Sequence, residues 1–135
     1  IAQAALVADK INIPMLYVRS SQKAHGLGNQ IEGDIKAGKK VIVLEDLVST
    51  GGSSLKAVSA LQEAGLEVLG MSAIFTYGFP VSEENFQEAG VSLSTLTTYH
   101  DLIQEAADTG YVHADDLETL QNWRRDPAGW KPESK

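Results

Sequence analysis

At 135 residues the chain has the length of one ordinary domain, and its 43% hydrophobic content can fill a single core. Charged residues at 21% and the lack of any low-complexity tract argue against wholesale disorder, and the absence of cysteine removes disulfide, zinc-thiolate and cysteine-nucleophile chemistry. The net charge of -7 is uneven: residues 1–56 carry seven Lys/Arg against five Asp/Glu and residues 57–135 four against thirteen, which disfavours a broad nucleic-acid-binding face and leaves room for a small basic site for an anionic metabolite.

The sequence opens at Ile1, already inside a helix-like pattern, and a preceding segment is expected in the natural protein. "IAQAALVADK" predicts a helix rich in alanine. "MLYV", Met15 to Val18, predicts a short buried strand after Pro14. Arg19 to Gly33, "RSSQKAHGLGNQIEG", predicts a long mobile loop with three glycines. "VIVLE" predicts the next strand, and a helix is expected from Ser53 to a cap at Gly65, with Leu55, Val58 and Leu61 on one face. "EVLGMSAIF" predicts a strand from Glu67 to Phe75, and "SEENFQEA" a short helix capped by Ser82 and ended by Gly90. "VSLSTL" predicts a strand by its alternation. A helix is expected from Thr98 to Gly110, where Thr98 and Asp101 have capping-box spacing. A last helix over Ala114 to Arg125 stops at Asp126-Pro127.

Strands alternating with helices predict an α/β fold, a mainly parallel sheet flanked by helices. One domain is expected over residues 1–125, with 126–135 as a C-terminal tail. No apolar run approaches the roughly 20 residues that cross a bilayer, so no membrane partner is expected; cysteine-free composition fits a cytoplasmic protein.

The chemistry is concentrated in "VIVLEDLVSTGGSS", Val41 to Ser54. Ligands of open α/β sheets bind beyond the carboxyl ends of strands. Ser49 to Ser54 fall between a strand and a helix start. Gly51 and Gly52 allow close backbone approach, helix-start N–H groups favour an anion, and Ser49, Thr50 and Ser53 add hydroxyl donors. The stretch is neither a Walker A loop nor a dinucleotide fingerprint. Its distinctive feature is the acidic pair, Glu45 and Asp46, because carboxylates accept hydrogen bonds from vicinal sugar hydroxyls. Sugar acceptors followed by a phosphate cradle describe a ribose 5-phosphate site. Capping alone would explain the serines and glycines but not the acids.

This stretch resembles the phosphoribosyl pyrophosphate (PRPP) motif of type I phosphoribosyltransferases. "YVRSSQKAHGLGNQIEG" resembles the catalytic loop of orotate phosphoribosyltransferases, "IAQAALVADKINIP" the helix after that family's pyrophosphate turn, and "AIFTYG" the strand after the motif. The resemblance implies a Rossmann-like core, transfer of phosphoribose from PRPP to orotate in pyrimidine biosynthesis, Mg²⁺ held through PRPP rather than by the protein directly, and a homodimer whose Arg19–Gly28 loop acts in the partner's site. It implies Lys23, His25 and Asp46 as catalytic residues. Arg19, Lys23 and His25 would contact pyrophosphate, Glu45 and Asp46 the ribose hydroxyls, and Leu47, Val48, Ser49, Thr50, Gly51, Gly52 and Ser53 the 5-phosphate side, with Ser49 also touching orotate. Lys, Arg and neutral-range His suit a leaving pyrophosphate.

Two departures stand out. Ser20 and Ser21 occupy positions where many members have a further Lys, and Tyr77 and Gly78 stand where some have an orotate-contacting Arg. A purine phosphoribosyltransferase and a non-catalytic PRPP sensor remain as alternatives. His100 and His113 read as surface or capping residues, Trp123 and Trp130 as packing or interface residues, Arg124-Arg125 as a solvated helix end and Asp115-Asp116 as a helix opening.

Overall fold

The computed structural model describes residues 1–20 and 30–131. Three parallel strands form the main sheet in the order β3-β4-β5: β3 (Lys40–Val48), β4 (Glu67–Thr76) and β5 (Leu93–Thr98). Helix α2 (Gly52–Glu63) joins β3 to β4, and α3 (Pro80–Glu88) joins β4 to β5. Parallel neighbours require such crossovers. Helix α1 (Ala2–Ile11) precedes a separate antiparallel ribbon, β1 (Tyr17–Val18) with β2 (Ile31–Glu32). Helix α4 (Tyr99–Asp108), a 3₁₀ turn (Ala114–Asp116) and α5 (Leu117–Arg125) complete the described chain.

The register explains the two faces of the sheet. Val43 pairs with Met71 and Glu45 with Ala73. On that face Val43, Met71 and Ala73 pack with Val58 of α2 and Phe86 of α3. A second cluster, Ile31, Leu61 and Leu66, ties the ribbon to the other end of α2. Each of the large, fully buried side chains among these contributes roughly 1.5–3 kcal/mol. Alternation sends Ile42 and Leu44 to the opposite face, where Ile42, Leu44, Ile74 and Leu96 are exposed, Leu96 at 80%.

The parallel α/β core follows the sequence pattern, and the differences have local causes. Strand β3 runs three residues past Glu45, because Leu47 and Val48 pair with Phe75 and Thr76. Only Tyr17–Val18 of "MLYV" is a strand, and it pairs with Ile31–Glu32 inside the stretch expected to be loop. Ile31 is buried against Leu61 and Leu66, so burial recruits a segment whose composition reads as loop. Helix α3 begins at Pro80 rather than after Ser82, since Pro fits the first helical position. Ser82 is then inside the helix and buried. Thr98 caps α4 as the spacing predicts: Thr98 Oγ1 accepts from the Asp101 N–H at 3.2 Å, and the Asp101 carboxylate accepts from the Thr98 N–H at 3.2 Å.

The C-terminal elements dock through aromatics. Tyr77, Tyr99 and Trp123 lie 5.4–5.7 Å apart by ring centroid, and Phe79 stacks on Tyr77 at 5.2 Å. Trp123 is therefore a packing residue. Arg124 is not a solvated helix end: its Nε donates to the Tyr77 carbonyl at 2.7 Å and its Nη2 to the Gly78 carbonyl. Arg125 does match that expectation: it is exposed, and among the described residues its side chain bonds Asn122. His100 and His113 are exposed, and Asp115 and Asp116 lie in the 3₁₀ turn that precedes α5.

Candidate active site

The site forms where β3 leaves the sheet. Val48 is fully buried, and its carbonyl accepts from Thr76 Oγ1 and the Tyr77 N–H, both at 3.2 Å. The Gly78 N–H closes onto Thr76 Oγ1 at 3.0 Å. These bonds fasten the end of β3 to the end of β4, so the turn from Ser49 to Gly51 starts from a fixed point.

Gly51 is the residue before α2, with φ 82. That left-handed value favours glycine. A Cβ at Gly51 would lie 2.7 Å from Cε2 of buried Phe86, so the position excludes side chains twice. The Gly51 carbonyl accepts the first helical bond, from the Leu55 N–H at 2.8 Å. The N–H groups of Gly51, Gly52, Ser53 and Ser54 have no acceptor among the described residues. Four free donors at a helix start, together with the helix dipole, can receive an anion.

The acidic pair does not point one way. Both residues lie within β3, where successive side chains alternate. Glu45 is half-buried on the α2 side, and its Oε2 accepts from Ser54 Oγ at 3.0 Å. Asp46 is exposed, and its Oδ1 accepts from the Leu47 N–H at 2.7 Å. A small hollow of about 70 Å³ lies between Leu44, Glu45 and Asp46 and the first turn of α1. Ser54 is 3% exposed, and its bond to Glu45 is a contact that sequence reasoning missed. Its signal was the spacing of nine residues from Glu45, which only the strand–turn–helix reversal converts into contact.

Of the other residues singled out, Leu47, Val48, Ser49, Thr50, Gly52 and Ser53 all fall on this strand end, turn and helix start. Thr50 is held from α3, its carbonyl accepting from Asn85 Nδ2 at 2.9 Å. Arg19 directly follows β1 of the ribbon. Its N–H donates to the Gln30 carbonyl at 2.8 Å, and its guanidinium pairs with Glu32 at 3.1 Å. Lys23, His25, Gly26 and Gly28 lie outside the described residues.

A parallel α/β core with an acidic strand end leading into a turn and a helix start is the arrangement to compare with known families. The profile of the phosphoribosyl transferase domain matches residues 1–98, and the chain belongs to that family. An orotate phosphoribosyltransferase of Cytophaga hutchinsonii is 56% identical over 97% of this chain and 63% of its own length. The chain thus spans a little under two thirds of that relative. Among solved structures, orotate phosphoribosyltransferase from Aeropyrum pernix is similar with a TM-score of 0.67 and 27% identity, over 79% of this chain and 58% of that one. The Mycobacterium tuberculosis orotate phosphoribosyltransferase, solved with inorganic phosphate, gives 0.56 and 31%, over 71% and 55%.

Proposed function

We propose that the protein carrying this chain transfers the 5-phosphoribosyl group from PRPP to orotate, giving orotidine 5'-monophosphate and pyrophosphate in pyrimidine nucleotide biosynthesis. The observation that supports the donor is the strand end: Glu45 and Asp46 are followed, after four intervening residues, by a run of four backbone N–H groups, Gly51 to Ser54, without acceptors among the described residues. The acceptor rests on relatives 55–57% identical that are named orotate phosphoribosyltransferase.

The 5-phosphate would lie against the N–H groups of Gly51 to Ser54, with Ser49, Thr50 and Ser53 hydroxyls around it. Asp46, being exposed, would accept from the ribose hydroxyls. Glu45, held by Ser54, would do the same with less freedom. Negative charge fixed beneath the sugar favours the positive charge that develops at the anomeric carbon as pyrophosphate leaves. Arg19, Lys23 and His25 would supply donors to pyrophosphate, with Arg19 exchanging its bond to Glu32 for the ligand.

The residues present fit Mg²⁺ arriving with PRPP. Among the described residues no group of three or more His, Cys, Asp or Glu is arranged to hold an ion. An ion carried by PRPP would keep phosphate oxygens and water as its ligands, with exposed Asp46 the nearer of the two carboxylates. Held through PRPP, Mg²⁺ would supply positive charge against the leaving pyrophosphate. A homodimer sharing the Arg19–Gly28 loop and a cytoplasmic location belong to the same proposal; among the described residues no helix is long and apolar enough to cross a membrane.

The test uses full-length protein with PRPP, Mg²⁺ and each base. Loss of orotate absorbance with stoichiometric pyrophosphate release is expected. Turnover of adenine or hypoxanthine instead, or PRPP binding without turnover, would replace this reading. Asp46→Asn should lower kcat/KM for PRPP by about 10²-fold, whereas His100→Ala should leave it unchanged. Equal, mild effects from both would refute the site.

A further inference from the structure

We infer that Asn85 is a positioning residue for the phosphate cradle, a role that rests on the phosphoribosyl reading above. Asn85 lies on α3, 35 residues from Thr50 in sequence, and its side-chain amide donates to the Thr50 carbonyl at 2.9 Å. The described chain has no cis peptide bond. In a planar trans peptide the C=O and the following N–H point in opposite directions. Holding the Thr50 carbonyl against α3 therefore turns the Gly51 N–H away from α3. That N–H is the first of the four free donors that open α2.

The lock is needed because of Gly51 itself. At φ 82 it sits where glycine moves with little steric penalty. A rotation of the Thr50–Gly51 peptide would put a carbonyl oxygen where the donor belongs and repel an anion. Phe86, the next residue on α3, fills the space against Gly51 and blocks movement toward the core. Asn85 supplies what packing cannot, the rotational setting of the peptide plane. One turn of α3 thus sets both the position and the orientation of the cradle's first donor.

The experiment measures ribose 5-phosphate binding by calorimetry and PRPP kinetics in full-length protein. Asn85→Ala should raise the ribose 5-phosphate Kd and the PRPP KM about three- to tenfold, the effect of one lost hydrogen bond, with kcat changed less than twofold. Asn85→Leu, which keeps volume and removes the donor, gives the same reading if the alanine variant folds poorly. Asn85→Gln should recover part of the affinity. Gln87→Ala, exposed on the same helix, should change nothing. Wild-type affinity in both Asn85→Ala and Asn85→Leu, or an equal loss in Gln87→Ala, would overturn the inference while leaving the phosphoribosyl reading intact. Absence of ribose 5-phosphate binding by the wild type would overturn both.

Discussion

Replacing Gly51 with alanine adds one methyl group where the turn, the helix start and the core meet. Two costs follow. The backbone sits at φ 82, and an L-residue in that left-handed region costs roughly 1–2 kcal/mol. The new Cβ would also lie 2.7 Å from Phe86 Cε2 and 3.2 Å from Cδ2. Phe86 is 4% exposed and is an aromatic ring rather than a flexible chain end, so the turn or the ring must shift. Overpacking of that kind costs roughly 1–3 kcal/mol. Gly38→Ala provides the control, since Gly38 has φ 78 but an added methyl group there would meet nothing within 4 Å. It should lose only the roughly 1–2 kcal/mol of the backbone term. Urea unfolding of both variants, with unchanged slope, would show Gly51→Ala to be the less stable by about 1–3 kcal/mol. Phe86→Leu in the Gly51→Ala background should cost less than Phe86→Leu alone, because the smaller side chain relieves the contact. Equal destabilisation at Gly51 and Gly38 would refute the claim that Phe86 fills the space against Gly51.

Two further outcomes are expected. Ser54→Ala removes the donor to Glu45; it should raise the PRPP KM several-fold while destabilising the fold by only about 1 kcal/mol, measured by kinetics alongside thermal unfolding, and an unchanged KM would remove Glu45 from the site. The Tyr99 phenol is pushed above the usual tyrosine range, first by burial and then by nearby Tyr77, against a smaller opposing effect of Arg124. Its folded value thus exceeds the unfolded one, so its contribution is full below about pH 10 and lost as pH rises through the folded value. The phenolate can no longer donate to the Leu120 carbonyl. Trp123 fluorescence should therefore change above about pH 10 in the wild type and not in Tyr99→Phe, and persistence of the change in that variant would place its origin elsewhere.

Local sequence carried a large share of this protein. The strand–turn–helix of Val41 to Ser54, the Thr98–Asp101 capping box and the helix ends at Gly65 and Gly90 are each written within a few residues. Their physics is equally local: strand alternation, caps and positive φ. The acidic pair before a glycine turn was legible for the same reason. Contacts between distant segments were not. Nothing near Ile31 announces a strand, because its partner Val18 and its cover, Leu61 and Leu66, are remote in sequence. Arg124 reads as a charged helix end until α5 docks and brings it to carbonyls 46 and 47 residues away. Glu45 and Asp46 read as one pair, yet the extension of β3 through Val48 sends them to different sides.

The sequence by itself therefore determined the α/β alternation and the chemical content of the cradle: acids, glycines, hydroxyls and a helix start in a fixed order. Tertiary structure decided how that cradle is held. Ser54 on Glu45, Asn85 on Thr50 and Phe86 against Gly51 exist only after α2 and α3 pack on the sheet. Periodicity and capping depend on neighbours along the chain, whereas those three contacts depend on how two helices settle on three strands, which no short stretch of sequence contains.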